Sequence, residues 1–331
     1  MMPNLPITRR RAFTVIGMGT GLALFPSLTL SSVTAPAAFR WTGQALGAKA
    51  EIILHHPNKN QARRLVSRCV DEIERLENIF SLYRTASELV QLNRTGRLDR
   101  PSHDMLRILG LSRRYFELSG GAFDPSVQPL WQLYSRHFSR PGTTMGPRDE
   151  DIKNVLKRVG FAKVDYSATG ISFSRPGMGL TFNGIAQGYI TDRIADILKE
   201  NGLDRVLINL GEIRAIGPAR EDGTPWRVGL SDLSGEMETV ALNDLAIATS
   251  SGGATRFTPD GRYHHIFNPL VGRSAGIYRS VSVTAPLAAD ADALSTALSS
   301  LDLDRARDVL SACPGTAAIM SYSGEEKTTK I

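Results

Sequence analysis

Two apolar periods alternate irregularly along this chain, and that irregular mixture limits its fold more than any single motif does. From Gln61 to Phe80 the apolar residues Leu65, Cys69, Ile73, Leu76 and Phe80 recur at spacings of three and four with Arg, Asp and Glu between them. That is an amphipathic helix laid on a core. Met105 to Leu118 and Asp149 to Val159 follow the same pattern, and a helix from Ala186 to Glu200 stops at the C-cap signal Asn201-Gly202. Period-two or short apolar runs mark strands at Ala50 to Leu54, Arg205 to Asn209, Trp226 to Leu230, Arg279 to Thr284 and Ala317 to Ser321. Ile171 to Ser174 is another strand candidate, and Lys163 to Tyr166 against Ile171 to Phe173 reads as a hairpin. Strands and helices in so uneven an order predict an α+β fold of mixed or antiparallel sheets with packed helices, in two intimately joined lobes, rather than a doubly wound parallel sheet.

The N-terminus predicts a destination. Thr8-Arg9-Arg10-Arg11-Ala12-Phe13 carries an Arg-Arg-x-Phe core, followed by an apolar run to Leu30 that Gly17, Gly19, Gly21 and Pro26 interrupt. The breakers weaken a membrane-spanning helix, and Ala35-Pro36-Ala37 offers small residues for cleavage. We therefore expect residues 1–37 to be a cleaved twin-arginine export signal, residues 38–331 to form one domain, and the mature protein to be periplasmic without a membrane anchor. Loss of residues 1–37 removes Arg9, Arg10 and Arg11 and no acid, so the formal charge falls from +6 to +3. Nothing in that balance calls for nucleic acid. Cys69 and Cys313 are the only cysteines, which excludes a disulfide framework and a cysteine-built metal site while leaving one pairing open.

Several polar and glycine-bearing stretches exceed what packing needs. In Ala291-Asp292-Ala293-Leu294-Ser295-Thr296-Ala297 a carboxylate and a hydroxyl stand four positions apart, hence on one face of a helix. Two hard oxygens a turn apart suit Mg2+; a helix start with Asp290 as N-cap and Thr296 bonded back to the preceding turn is the alternative. Asn183-Gly184-Ile185-Ala186-Gln187-Gly188-Tyr189 opens a helix with glycines, whose backbone can approach a phosphate or a cation closely. Ala248-Thr249-Ser250-Ser251-Gly252-Gly253 reads as a small-residue loop. His264 and His265 are adjacent, so on an extended strand at most one faces a given pocket.

In register, these stretches resemble the FAD:protein FMN transferases, the ApbE-type flavin transferases, from about Leu46 to Leu298. The resemblance takes in Leu46-Gly47-Ala48, Phe80-Ser81-Leu82-Tyr83-Arg84 with Ser87-Glu88 and Leu92-Asn93, and Gly120 to Val127. It continues through Asn183 to Asp192, Ala248 to Gly252, His265 to Gly272 and Asp292 to Thr296. The resemblance implies an ApbE-like fold and Mg2+-dependent splitting of FAD, with FMN passed to a Ser or Thr hydroxyl of a target flavoprotein and AMP released. It places the Mg2+ ligands at the Gly184 carbonyl, Asp292 and Thr296. FAD contacts fall at Leu46, Tyr83, Ala122, Phe123, Asp124, Thr181, Gln187 and Phe267. His265 and Asp292 become the catalytic residues, His265 because a neutral imidazole can take the hydroxyl proton near neutral pH.

The chain departs from the family pattern where Asn268 replaces an Asp, Leu270-Val271 replaces Arg-Thr, Thr181 replaces an Asp and Gln187 replaces a Lys. Asn183 to Tyr189, Leu210 to Gly217 and the export signal look most like the NosX branch encoded with nitrous oxide reductase. That branch implies the membrane-bound flavoprotein NosR as FMN acceptor. A non-catalytic periplasmic FAD carrier and a Mg2+-dependent FAD hydrolase are the competing expectations.

Overall fold

The computed structural model describes residues 38–231, 237–325 and 327–331, together with the backbone of Phe13–Val15. Apart from those three residues, which pair antiparallel with Val228–Leu230, the expected signal over residues 1–37 lies outside the described residues.

Eight strands form the central sheet, and we number them in chain order: β1 (Ala38–Ala45), β2 (Ala48–His55), β3 (Val206–Asn209), β4 (Ile213–Ile216), β5 (Ala246–Ser251), β6 (Tyr278–Ala285), β7 (Ala317–Tyr322) and β8 (Thr328–Lys330). Their order in space is their order in sequence, and every neighbouring pair is antiparallel. The helices are inserted into this meander. Between β2 and β3 come α1 (Lys59–Phe80), α2 (Glu88–Thr95), α3 (His103–Leu118), α4 (Gln128–Phe138), α5 (Asp149–Leu156) and α6 (Ala186–Glu200). Between β6 and β7 come α7 (Ala288–Leu298) and α8 (Leu303–Ser311).

Alternation along the strands separates two cores. Ile52, Leu54, Val206 and Ile208 face the helices, with Cys69, Ile73 and Leu76 of α1 in the same cluster. Ile53, Leu207, Ile213 and Ala215 face the opposite side and pack with Trp226 and Val228 of a smaller sheet. Each fully buried aliphatic side chain contributes roughly 1.5–3 kcal/mol. A third apolar cluster joins Leu130 and Tyr134 of α4 and Ile152 and Val155 of α5 to Phe267, and so ties down the long connection between β5 and β6.

The α+β expectation holds, and α6 has the predicted bounds. Its end is the predicted cap, with Gly202 at φ +78°. The hairpin expected near residue 166 forms as Val164–Ser167 against Gly170–Phe173, and Arg97–Asp99 extends it. One expectation is corrected, and the helix-start alternative for Asp290 and Thr296 is set aside. Residues 248–251 are not loop but the end of β5, and only Gly252–Ala254 turns, as a 3-10 segment. The helix carrying Asp292 begins earlier than Asp290, with Leu287 at its N-cap, and Asp290 instead accepts the Tyr115 hydroxyl at 2.5 Å. The Thr296 hydroxyl bonds with that of Ser250, on β5, rather than with the preceding turn. Cys69 and Cys313 are both buried free thiols. Among the described residues no helix is long and apolar enough to cross a membrane.

Candidate active site

A solvent-open cleft lies where the helical insertion meets the end of β5 and the β5–β6 connection, and its empty space, mouth included, is about 1040 Å³. Tyr83, Ala122, Phe123, Asp124, Thr181 and Phe267 line it, as do Gly184, His265 and Thr296. Leu46, Gln187 and Asp292 are not among the lining residues.

Each wall has a local cause. Ser81 ends α1, and its hydroxyl accepts the N–H groups of Tyr83 (3.0 Å) and Arg84 (3.2 Å), which turns the chain so that Tyr83 stands 63 % exposed. Leu46 occupies a tight hairpin turn at φ +45° beside Gly47 at φ +76°, and its N–H donates to Glu77 behind that wall. Asp124 lines the cleft, but its carboxylate accepts the Ser126 N–H (2.7 Å), the Ser126 hydroxyl (2.6 Å) and the Phe161 N–H (3.1 Å). It is a loop pin, and burial raises its pKa against the pull of those donors. The segment bearing Thr181 is fixed from α2: the Asn93 amide donates to the Leu180 carbonyl (2.8 Å) and accepts its N–H (2.7 Å).

The opposite wall gathers oxygens. A Cβ on Gly184 would lie 2.7 Å from Thr296 Oγ1 and 3.1 Å from its Cγ2, so glycine is required for the Thr296 hydroxyl to sit against that backbone. The Ser250 hydroxyl lies 3.2 Å from Thr296 Oγ1 and 2.9 Å from Ser295 Oγ. Ser250 was not singled out in the sequence, although its parity with Ala246 and Ala248 places all three on one face of β5. Asp292 lies one turn before Thr296, fully buried, and its Oδ2 accepts the Gly188 N–H at 3.1 Å. The Gly184 backbone and the Thr296 hydroxyl that meet at this cradle, with the Asp292 carboxylate one turn earlier on α7, are hard oxygen donors of the kind Mg2+ takes. Among the described lining residues there is no Lys or Arg.

The two histidines separate. His264 is buried, its Nε2 donates to the Ala275 carbonyl at 2.7 Å, and burial lowers its pKa. His265 lines the cleft, with Nδ1 3.2 Å from the Thr255 carbonyl. A carbonyl only accepts, so Nδ1 carries the proton and Nε2 is the basic nitrogen. Gln187 is buried; its Nε2 donates weakly to the Leu210 carbonyl at 3.4 Å, beneath Gly211 at φ +104°. Asn268 folds its own turn, accepting the Leu270 N–H at 3.0 Å and reaching the Ser300 carbonyl at 3.5 Å.

This arrangement has known counterparts. The ApbE family profile matches residues 46–320. The chain belongs to the ApbE family. An FAD:protein FMN transferase of Treponema pallidum is 31% identical over 274 residues, covering 76% of this chain and 75% of the relative. One from Vibrio cholerae is 29% identical over 274 residues, covering 80% and 81%. Among solved structures, the flavin transferase ApbE from Vibrio cholerae superposes with a TM-score of 0.76 at 25% identity, covering 89% of this chain and 97% of that one. The ApbE protein of Thermotoga maritima gives 0.77 at 26% identity, with the same coverage of 89% and 97%. Membership of the family accounts for the fold and for the gathering of Tyr83, Ala122, Phe123, Asp124, Thr181, Gly184, His265, Phe267 and Thr296 on one cleft.

Proposed function

We propose that the chain is an FAD:protein FMN transferase that uses Mg2+ and acts on an exported or membrane-bound flavoprotein. The observation that carries the metal part of this reading is the lack of cationic side chains among the described residues of the cleft. An FAD pyrophosphate lodged beside Thr296 meets no Lys or Arg among the described lining residues, so its charge requires a cation held by protein oxygens. The Gly184 carbonyl, Asp292 and Thr296 would hold that cation, and Ser250 buttresses the Thr296 hydroxyl at 3.2 Å. Bound there, Mg2+ neutralises the pyrophosphate and the charge that develops as it is cleaved.

The chain's own groups do the rest. Phe123, Phe267 and Tyr83 give the flavin and adenine an apolar slot. His265, with Nδ1 held by Thr255, presents Nε2 to take the proton of the acceptor hydroxyl. The hydroxyl oxygen bonds to the phosphorus on the riboflavin side, the bridging P–O bond breaks, and AMP leaves. The NosX-like wording of residues 183–189 and 210–217, with the twin-arginine motif, supports a periplasmic enzyme whose acceptor is NosR in nitrous oxide respiration.

Incubating the protein with FAD, Mg2+ and the acceptor domain, then weighing that domain, tests the reading. We expect a mass increase of one FMN, dependent on Mg2+. An unmodified acceptor beside protein that demonstrably holds FAD would favour the carrier, and FMN plus AMP appearing without acceptor would favour the hydrolase.

A further inference from the structure

The helices α6 and α7 hold each other through two carboxylates, one on each. From α7, Asp292 accepts the N–H of Gly188 in the first turn of α6 at 3.1 Å. From α6, Asp192 accepts the N–H of Ala288 at 2.8 Å and of Ala289 at 2.9 Å, which are the first two residues of α7. No side chain of its own caps α7, because the N-cap residue is Leu287. Asp192 therefore satisfies, from another element, donors that a local Ser or Asp ordinarily satisfies. Arg214 of β4 closes the unit by pairing with Asp192 Oδ1, and both side chains are nearly buried, at 8% and 12% exposure. The crossing has no slack: a Cβ on Gly188 would lie 2.3 Å from the Ala288 carbonyl oxygen.

We propose that Asp192 and Arg214 are positioning residues for the cation site, setting the axial position of α7 and with it Asp292 and Thr296. The inference rests on the metal reading of those two residues. Asp192 lies four positions after Gly188, and Thr296 four after Asp292, so on each helix the residue that meets the other helix and the residue one turn on share a face, and on α7 that face carries both proposed site groups. Burial bars water from replacing the carboxylate at the α7 terminus. Loss of the clamp lets α7 shift along the crossing, which moves the Asp292 carboxylate and the Thr296 hydroxyl together relative to Gly184.

The test uses Mn2+ as the probe, measured by electron paramagnetic resonance on the full mature protein with saturating FAD, alongside FAD affinity and thermal unfolding. Asp192→Asn should weaken Mn2+ binding at least tenfold while FAD affinity stays within about threefold. Arg214→Met should act in the same direction. Because these variants also remove a helix cap, Leu287→Asp is added to Asp192→Asn: a local cap restores the melting temperature but not the tie to α6. Under the proposal Mn2+ affinity stays weak in that double variant. If the local cap restores both melting temperature and Mn2+ affinity, or if Asp192→Asn binds Mn2+ as the parent does, the pair is merely structural. Asp292→Ala is the separate control: Mn2+ binding that survives it overturns the metal reading itself and the positioning role with it.

Discussion

His264 and His265 are consecutive, yet the backbone sends one into the core and the other into the cleft, and their hydrogen bonds fix opposite tautomers. His264 is protonated on Nε2 by its bond to Ala275, His265 on Nδ1 by its bond to Thr255. Among the described lining residues His265 is the one imidazole, so for the proposed reaction His265→Ala should slow FMN transfer about 100-fold or more with FAD affinity little changed. A loss of only a few-fold would remove the imidazole from proton transfer. At Asn268 the chain departs from the family's Asp, and an acid restored there could be expected to aid a base. Its position argues otherwise. The side chain does not line the cleft, and its amide closes a turn by accepting from Leu270 and donating weakly to Ser300. A carboxylate would keep the first bond and face the Ser300 carbonyl without a proton to offer. Asn268→Asp should therefore leave the rate within about threefold of the parent between pH 6 and 9 or lower it, whereas a clear rise, measured by acceptor mass labelling, would bring the position back into the chemistry.

Among elements, those with a long single period were legible and those made of small or mixed residues were not. α1 announces itself by five apolar residues at helical spacing, and α6 by its Asn201-Gly202 stop. β5 reads as loop because Ala248, Thr249, Ser250 and Ser251 have turn-like composition, but small residues are what allows α7 to press on that face, where Ala248, Ala285 and Ala291 form a buried cluster. α7 is likewise weakly patterned, since Ala288, Ala289, Ala291, Ala293 and Ala297 are buried all round. Asp192 carried a signal that the reading did not use: an acid on the same helical face as Gly188, four residues on, in an otherwise apolar segment. What no local pattern contains is the partner, because Asp192 meets residues 96 and 97 positions away. The close crossing gives a prediction at this scale. Gly188→Ala puts a methyl 2.3 Å from the Ala288 carbonyl oxygen and 2.6 Å from the Ala289 Cα, both backbone atoms that cannot rotate aside. Forcing α6 and α7 apart should cost about 1–3 kcal/mol or more, read from urea unfolding. A change below about 0.5 kcal/mol would show that the crossing yields more easily than its contacts indicate.

At the scale of the whole molecule, the sheet is a sequential antiparallel meander interrupted twice by helical insertions, and the site forms where both insertions and the β5–β6 connection meet. The class of such a fold was legible from the uneven order of periods. Its convergence was not, since residues 83, 124, 184, 265 and 296 share a cleft only after the insertions fold back. The size of the core also bears on the two cysteines, for which the sequence left one pairing open. Cys69 and Cys313 belong to the same helix-side cluster but are free, and both are buried. Burial pushes the Cys69 thiol up to about 12 and raises that of Cys313 too, so little thiolate forms at neutral pH and oxidation has no nucleophile to start from. A core of this extent does not depend on a cross-link, unlike a small secreted domain. The folded protein should therefore leave 5,5′-dithiobis(2-nitrobenzoate) largely unreacted at pH 7.5 and release two thiol equivalents only after denaturation. Its unfolding midpoint should be the same with and without dithiothreitol, even after recovery from an oxidising compartment. A midpoint that falls on reduction, or a denatured protein without titratable thiols, would show that the two cysteines had bonded.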